Sequence, residues 1–367
     1  MPKKVLVVAQ TPPPHNGQSI MNENLLSLEF RDVELLHVRM AFSTTSRDIG
    51  RFQVLKLWHL VATIAKIVCI RIKYKPDALY YPPAGRNLVP MYRDIIILCT
   101  TRWLFKQTIF HFHAGGISEL YDTLPRLIKC LYRRAYFSPN TSIILSRLNP
   151  PDDQFIESKA SFVVPNGIHC VRDFKSEDKP DHHGINILHV GLLCESKGVL
   201  VLLRSLATLA SENVRFQACF VGNFQSRQFQ DTCEAFVESN NLQERVEFKG
   251  ALTGRDKWRE FHRADIFCFP TFYEAETFGL VVLEAMQYNL AIIASSWRGV
   301  PDLIEHEETG LLVEPRSSDE LTHALRKLSQ DRALMSKLGQ NAHSRFTEKF
   351  TIDKFRENMQ DVFDQLS

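Results

Sequence analysis

The stretch "EAETFGLVVLEAM", residues 274–286, decides how the rest of this chain is read. Glu276 and Glu284 stand eight positions apart, with Phe278, Gly279 and an apolar run between them. Upstream, "DIFCFP" (265–270) has the length and composition of a buried strand. Downstream, "FGLVVLEAMQYN" (278–289) has helical character, so residues 278–280 fall near a helix N-terminus. Free backbone N–H groups and the helix dipole make such a start an anion site, and Gly279 lets a phosphate approach closely. Eight helical residues span roughly 12 Å, an upper guide because Glu276 precedes the helix. That reach suits a ligand with hydroxyls at both ends and phosphates between them, as in a nucleotide sugar. It is too wide for the carboxylate pair of a retaining glycosidase, which needs roughly 5 Å.

Outward from this stretch, short apolar runs alternate with helical patterns. Strands are predicted at 3–10, 33–39, 77–83, 107–113, 141–146 and 161–167, and a second series at 185–193, 215–223, 245–250, 265–270, 290–295 and 309–315. Strands of this kind between helices mean parallel β-α units. The segment 169–184, "HCVRDFKSEDKPDHHG", is polar and lacks apolar periodicity, so it reads as the linker between two doubly wound α/β domains. Ligands on such sheets bind at the carboxyl ends of the strands, and a cleft between the domains is the default site.

The segment Glu276–Glu284 resembles the E-x7-E signature of retaining GT-B glycosyltransferases of the glycosyltransferase 4 type, also called glycosyl transferases group 1. The resemblance implies two Rossmann-like domains facing a central cleft: residues 1–168 on the acceptor side, joined by a terminal helix at 351–367, and residues 169–350 binding the donor. It implies that Glu276 contacts donor-sugar hydroxyls, Glu284 holds the ribose diol, and the backbone of Phe278, Gly279 and Leu280 meets sugar and diphosphate. Glu274 is a rival for the first role, but the spacing favours Glu276.

Further motifs support the resemblance. "HVGLLCESKGVLVLL" (189–203) places Gly191 after a strand and Lys197 at the mouth of a helix, where an ammonium group offsets charge growing on a leaving diphosphate. It is similar to the family's G-R-L-x-x-x-K-G, with Leu192 at the arginine position. In "HFHAGG" (111–116) the two histidines alternate on one face of a strand. No third ligand at a recognisable spacing makes them a metal site. The family pattern implies that His113 reaches the donor sugar, whereas His111 reads as packed. "PPPHNGQSI" (12–20) resembles the family's glycine loop, with Asn16 at a frequent glycine position and Gly17 as the flexible point near the phosphates.

The inferred reaction moves a sugar from a nucleoside diphosphate to an acceptor hydroxyl with retention of configuration. No metal and no cofactor are expected, because no D-x-D follows a strand. No G-x-G-x-x-G follows a strand either, which counts against a dinucleotide-dependent dehydrogenase. A nucleotide-sugar 2-epimerase or a catalytically weak sugar-nucleotide-binding partner subunit are the alternative readings.

Net charge is +2, unevenly spread: residues 1–170 carry +9 and the remainder −7. Residues 52–73, with Lys56, Lys66, Arg71 and Lys73, and residues 130–137 are basic, aromatic and amphipathic, and Trp58 and Trp103 fall in the same half. They suit an enzyme lying against an anionic membrane surface and acting on a saccharide or lipid-linked saccharide acceptor in cell-surface polysaccharide synthesis. A packed core helix with a solvated basic edge accounts for the same residues. Nucleic acid is not an expected partner, since no recognised binding module is present. Eight scattered cysteines without a CxxC pair, and no signal peptide or spanning helix, point to a cytoplasmic protein peripheral to the membrane.

Overall fold

The structure, a computed structural model, describes residues 2–40, 42, 54–171 and 184–366. Most of the linker expected at 169–184 lies outside the described residues, as do residues 52–53 and the Lys56 side chain of the basic helix. The chain divides into one unit of Met1–Gly167 with Ile352–Ser367, and a second of Ile168–Thr351.

In the first unit, β1 (Lys3–Ala9), β2 (Val33–Arg39), β3 (Ala78–Tyr81), β4 (Gln107–Phe112), β5 (Thr141–Ile144) and β6 (Ala160–Val163) form one sheet in the order β2-β1-β3-β4-β5-β6. In the second unit, β7 (Ile185–Val190), β8 (Phe216–Val221), β9 (Val246–Gly250), β10 (Ile266–Phe269), β11 (Ala291–Ser295) and β12 (Leu311–Val313) run β12-β11-β10-β7-β8-β9. Every pairing within both sheets is parallel. Parallel strands are covered by helices on both faces, so they read as unbroken apolar runs. Every residue of β3, β5, β10 and β11 is buried.

Each unit has its own apolar core. In the second, Leu202, Leu206 and Leu209 of the helix Val199–Ser211 face Ile187 and Phe220 of the sheet side. In that unit the strand order reverses between β7 and β10, and the loops leaving these neighbours run to opposite sides. Such a reversal opens a crevice at the carboxyl ends of the two strands.

The helix Ile352–Asp364 belongs to the first unit. Phe363 packs edge-on against Phe30 at 4.9 Å, and Gln360 exchanges hydrogen bonds with the Arg31 backbone at 2.7 and 3.2 Å. Sequence patterning predicts no element between 83 and 106, yet the helix Leu88–Thr101 and the turn Arg102–Leu104 lie there. Its buried Asp94 accepts hydrogen bonds from Tyr81 Oη at 2.6 Å and the Ala84 amide at 2.8 Å, which ties the helix to the exit of β3.

Candidate active site

Two loops meet at the reversal point of the second sheet. The first leaves β7 through Gly191, makes the turn Glu195–Lys197, and enters the helix Val199–Ser211 at Gly198. Lys197 therefore sits in the turn before the helix rather than within its first turn. Gly198 has φ +78°, and a Cβ there would lie 2.1 Å from the Pro270 carbonyl oxygen. Only glycine permits both the left-handed backbone and this approach. The second loop leaves β10 at Pro270 and is tied to the first by Phe272 N–H donating to Ser196 O at 2.7 Å.

This stitching aims Lys197 at Glu276. The Nζ ammonium donates to Glu276 Oε2, with the two side chains 17 % and 11 % exposed. The ammonium also lies 4.9 Å from the Tyr273 ring centroid, a cation–π contact. Tyr273 O accepts from the Glu276 amide at 3.0 Å and from Trp297 Nε1 at 2.8 Å, which fixes the loop carrying the carboxylate.

Beyond Glu276 the chain dips into the core and emerges as a helix. Phe278 is buried, edge-on to Phe350 at 5.9 Å. Gly279 has φ +89°, and a Cβ would come within 2.9 Å of the Phe269 ring. The helix Leu280–Gln287 then begins without a side-chain cap; the Val282 amide donates to Gly279 O at 2.9 Å, which leaves the dipole and the two amides before it to meet an anion.

Glu284, on that helix, receives a hydrogen bond from Lys257 Nζ at 2.7 Å. Burial pushes its carboxyl above the usual range, and the Lys257 ammonium opposes the shift. Its other oxygen, Oε2, is buried with no hydrogen-bond partner among the described residues. One oxygen is thus held by a cation while the other keeps its accepting capacity for a hydroxyl.

Lys257, Gly198 and Tyr273 were not legible as site residues. Lys257 stands in "GRDKWREFHR" (254–263), one of several cations on a polar helix. Only the folded sheet brings it to Glu284, 27 positions along the chain. Gly191 follows β7 with open space where a Cβ would project, and its own carbonyl would be 1.7 Å from a Cβ at Gly222. Two adjacent strands are thus each followed by glycine. Leu192, at the arginine position of the family pattern, is half exposed.

In the first unit, His113 follows β4 and stacks on His111, ring centroids 3.9 Å apart. The expected same-face arrangement holds the pair in a buried column. His111 Nδ1 meets Tyr80 Oη at 2.6 Å, and Phe355 lies beyond at 6.4 Å. Burial lowers the His113 pKa to about 3, partly offset by a hydrogen bond with Asn166. His113 is neutral near pH 7. The following Gly116 has φ +91°, and its amide donates to buried Asp152 at 2.8 Å. Among the described residues, no group of three or more His, Cys, Asp or Glu is placed to hold a metal ion.

Gly17 differs from its expected setting. It is the first residue of the helix Gly17–Ser27, not a free loop position, because Asn16 caps that helix. Asn16 Oδ1 accepts from Ser19 N at 2.9 Å, and Ser19 Oγ accepts from Asn16 N at 3.0 Å. This reciprocal box fixes the turn. The residue that departs from the glycine pattern is the one that organises the loop.

Two Rossmann-like units, the second with its polar cluster at the reversal of strand order, define the GT-B class of architecture. Residues 172–345 match the model of the family described as glycosyl transferases group 1. It is 26 % identical over 178 residues to an uncharacterized glycosyltransferase of Methanocaldococcus jannaschii, and 23 % identical over 175 residues to the capsular polysaccharide biosynthesis glycosyltransferase CapM of Staphylococcus aureus. Each match covers 48 % of this chain and 44 % of the relative, so it spans less than half of either relative's length. The crystal structure of Anabaena HepE in complex with UDP-glucose superposes with a TM-score of 0.71 at 17 % identity, covering 99 % of this chain and 100 % of that one.

Proposed function

We propose that this chain is a retaining glycosyltransferase that moves a sugar from a nucleoside diphosphate to a hydroxyl of a saccharide or lipid-linked saccharide. The observation that carries the reading is the convergence of Lys197, Glu276 and the uncapped start of the helix Leu280–Gln287 at one sheet reversal. A cation, a carboxylate and an exposed helix start there match phosphate, sugar hydroxyls and diphosphate in turn. The family, the HepE complex with UDP-glucose and the capsular polysaccharide relative support the donor and acceptor classes.

In this reading the diphosphate takes Lys197 from Glu276. The ammonium and the first-turn amides stabilise charge on the departing nucleoside diphosphate. Glu276, released, accepts from sugar hydroxyls. The bond between the anomeric carbon and the phosphate oxygen breaks. The acceptor oxygen bonds to that carbon on the same face, and its proton passes to a leaving phosphate oxygen. Glu284 binds the ribose diol through the oxygen that Lys257 does not occupy. The charge balance is supplied by Lys197 and the helix start, without a divalent ion.

Incubation with a panel of UDP-, GDP- and ADP-sugars tests the reading. Release of nucleoside diphosphate, slow with water and faster with a saccharide acceptor, is expected with one donor. Interconversion of UDP-linked epimers would replace transfer by epimerisation, and binding without turnover would leave a partner subunit.

A further inference from the structure

The first unit presents an unusual surface. On the helix Val54–Tyr74, Leu60, Thr63 and Ile67 are buried, yet the opposite stripe Trp58, Val61, Ala65, Cys69 and Ile72 is apolar as well and exposed. The helix Leu88–Thr101 repeats this pattern. Met91, Ile95 and Leu98 point inward, while Val89, Tyr92 and Ile96 point to solvent, in line with Trp103 of the following turn. On the helix Arg126–Tyr136, Leu127 and Leu131 do the same.

The three stripes adjoin. The helix Leu88–Thr101 packs against both of the others. Arg71 Nε donates to Leu104 O at 2.7 Å, and Cys99 Sγ to Leu131 O at 3.5 Å. Trp58, Trp103 and Leu127 are 70 %, 71 % and 74 % exposed. Single exposed apolar residues are ordinary, but a contiguous patch of this kind marks an interaction surface.

Charge selects the partner. The three helices carry nine Lys and Arg and a single carboxylate, Asp94, which is fully buried. Lys66 and Lys73 flank the first stripe, and Arg126, Arg133 and Arg134 the third. Exposed tryptophans among aliphatic residues, rimmed by cations on helices that carry no exposed acid of their own, suit the headgroup layer of an anionic bilayer; the exposed Asp122, 3.9 Å from Lys129, precedes the third helix. Among the described residues no helix is long and apolar enough to cross a membrane.

We propose that this three-helix face docks on an anionic lipid bilayer, with Trp58, Tyr92, Ile96 and Trp103 entering the headgroup layer and the flanking cations meeting lipid phosphates. The helix Leu88–Thr101, silent in the sequence patterning, is its centre. The docking rests on the fold. Its consequence, that the acceptor is presented from the membrane, rests on the transfer reading.

The test is co-sedimentation of the full chain with vesicles of phosphatidylcholine alone or with added phosphatidylglycerol. The wild-type chain is expected to pellet with the anionic vesicles and stay in the supernatant with the neutral ones. The variants Ile96→Asp with Trp103→Asp, and Arg133→Glu with Arg134→Glu, are each expected to weaken partition at least about tenfold, given roughly fivefold per surface cation. Their melting temperature and nucleotide-induced thermal shift are expected to match wild type, which separates lost docking from lost folding or a failed transferase reading. Equal recovery in the supernatant with both vesicle types would overturn the proposal. So would variants that pellet like wild type, or sedimentation velocity showing self-association that these variants abolish, since a second copy would then cover the face.

Discussion

Lys197 Nζ and Glu276 Oε2 are hydrogen-bonded across the reversal point of the second sheet, 79 positions apart in the chain. In the proposed reading, the pairing joins the two charges that a bound donor separates. Removal of either partner therefore has opposite effects on the two ends of the ligand. Glu276→Ala frees the ammonium, so affinity for the bare nucleoside diphosphate should rise severalfold while sugar transfer falls by about 10²-fold. Calorimetry with the diphosphate beside a transfer assay checks both. Equal loss of both would contradict the shared use of Lys197.

Glu284 is held by Lys257, and removing the cation leaves a buried carboxylate uncompensated. Breaking such a pair costs about 3 kcal/mol. Lys257→Met should lower the melting temperature by roughly 6–12 °C for a unit of this size and raise the donor KM. Glu284→Ala, which removes the buried charge as well as the proposed diol acceptor, should raise KM with a smaller thermal loss. Differential scanning calorimetry with initial-rate kinetics distinguishes the two.

Gly198→Ala and Gly250→Ala form a matched pair. Both positions have positive φ, +78° and +68°, but only the first would drive its Cβ into backbone, at Pro270 O. Gly250→Ala should cost about 1–3 kcal/mol, the strain of that backbone alone. Gly198→Ala should cost more and displace Lys197, with turnover down about 10²-fold because a 1 Å misplacement suffices for that loss. Comparable turnover in the two variants would show that the Ser196–Gly198 turn does not position the ammonium.

Burial holds His113 near pKa 3 and His189 near 4, well below the ordinary histidine value. The unfolded chain binds protons at these residues below about pH 6.5, whereas the folded chain does not until about pH 3–4. Stability contributed by keeping them neutral is thus complete above pH 6.5 and is lost as pH falls through that window. The slope is at most about 1.4 kcal/mol per pH unit for each histidine. Melting temperatures from pH 7.5 to 5 should decline, and His113→Asn should decline less steeply. An unchanged slope in the variant would assign the pH dependence elsewhere.

The architecture was readable because parallel strands are apolar without interruption. "DIFCFP" and "LAIIAS", nearly unbroken apolar runs, enclose the buried β10 and β11, and the more polar "VELLHVR" and "QTIFHFH" still mark β2 and β4 almost to the residue. Glu276, Gly279 and Glu284 were readable because one loop–helix unit carries them all. Lys257 was not, because nothing local distinguishes it from the exposed Arg255 and Arg259 beside it. The helix Leu88–Thr101 escaped detection because apolar residues line both its buried and its exposed faces, which weakens the 3.6-residue contrast, and because Arg93 is its single cation, whereas four cations mark the longer helix Val54–Tyr74. The same double-sided apolarity makes it the centre of the proposed docking face.

Binding of nucleoside diphosphates in the presence of EDTA tests most directly whether Lys197 and the Leu280–Gln287 helix start carry the diphosphate unaided. Thermal shift with UDP, GDP and ADP should show one of them stabilising the wild-type chain, by mass action, and Lys197→Ala should bind that nucleotide at least about tenfold more weakly, the loss of one charge-assisted contact. No shift with any nucleotide under EDTA, or equal affinity in the Lys197→Ala variant, would contradict it.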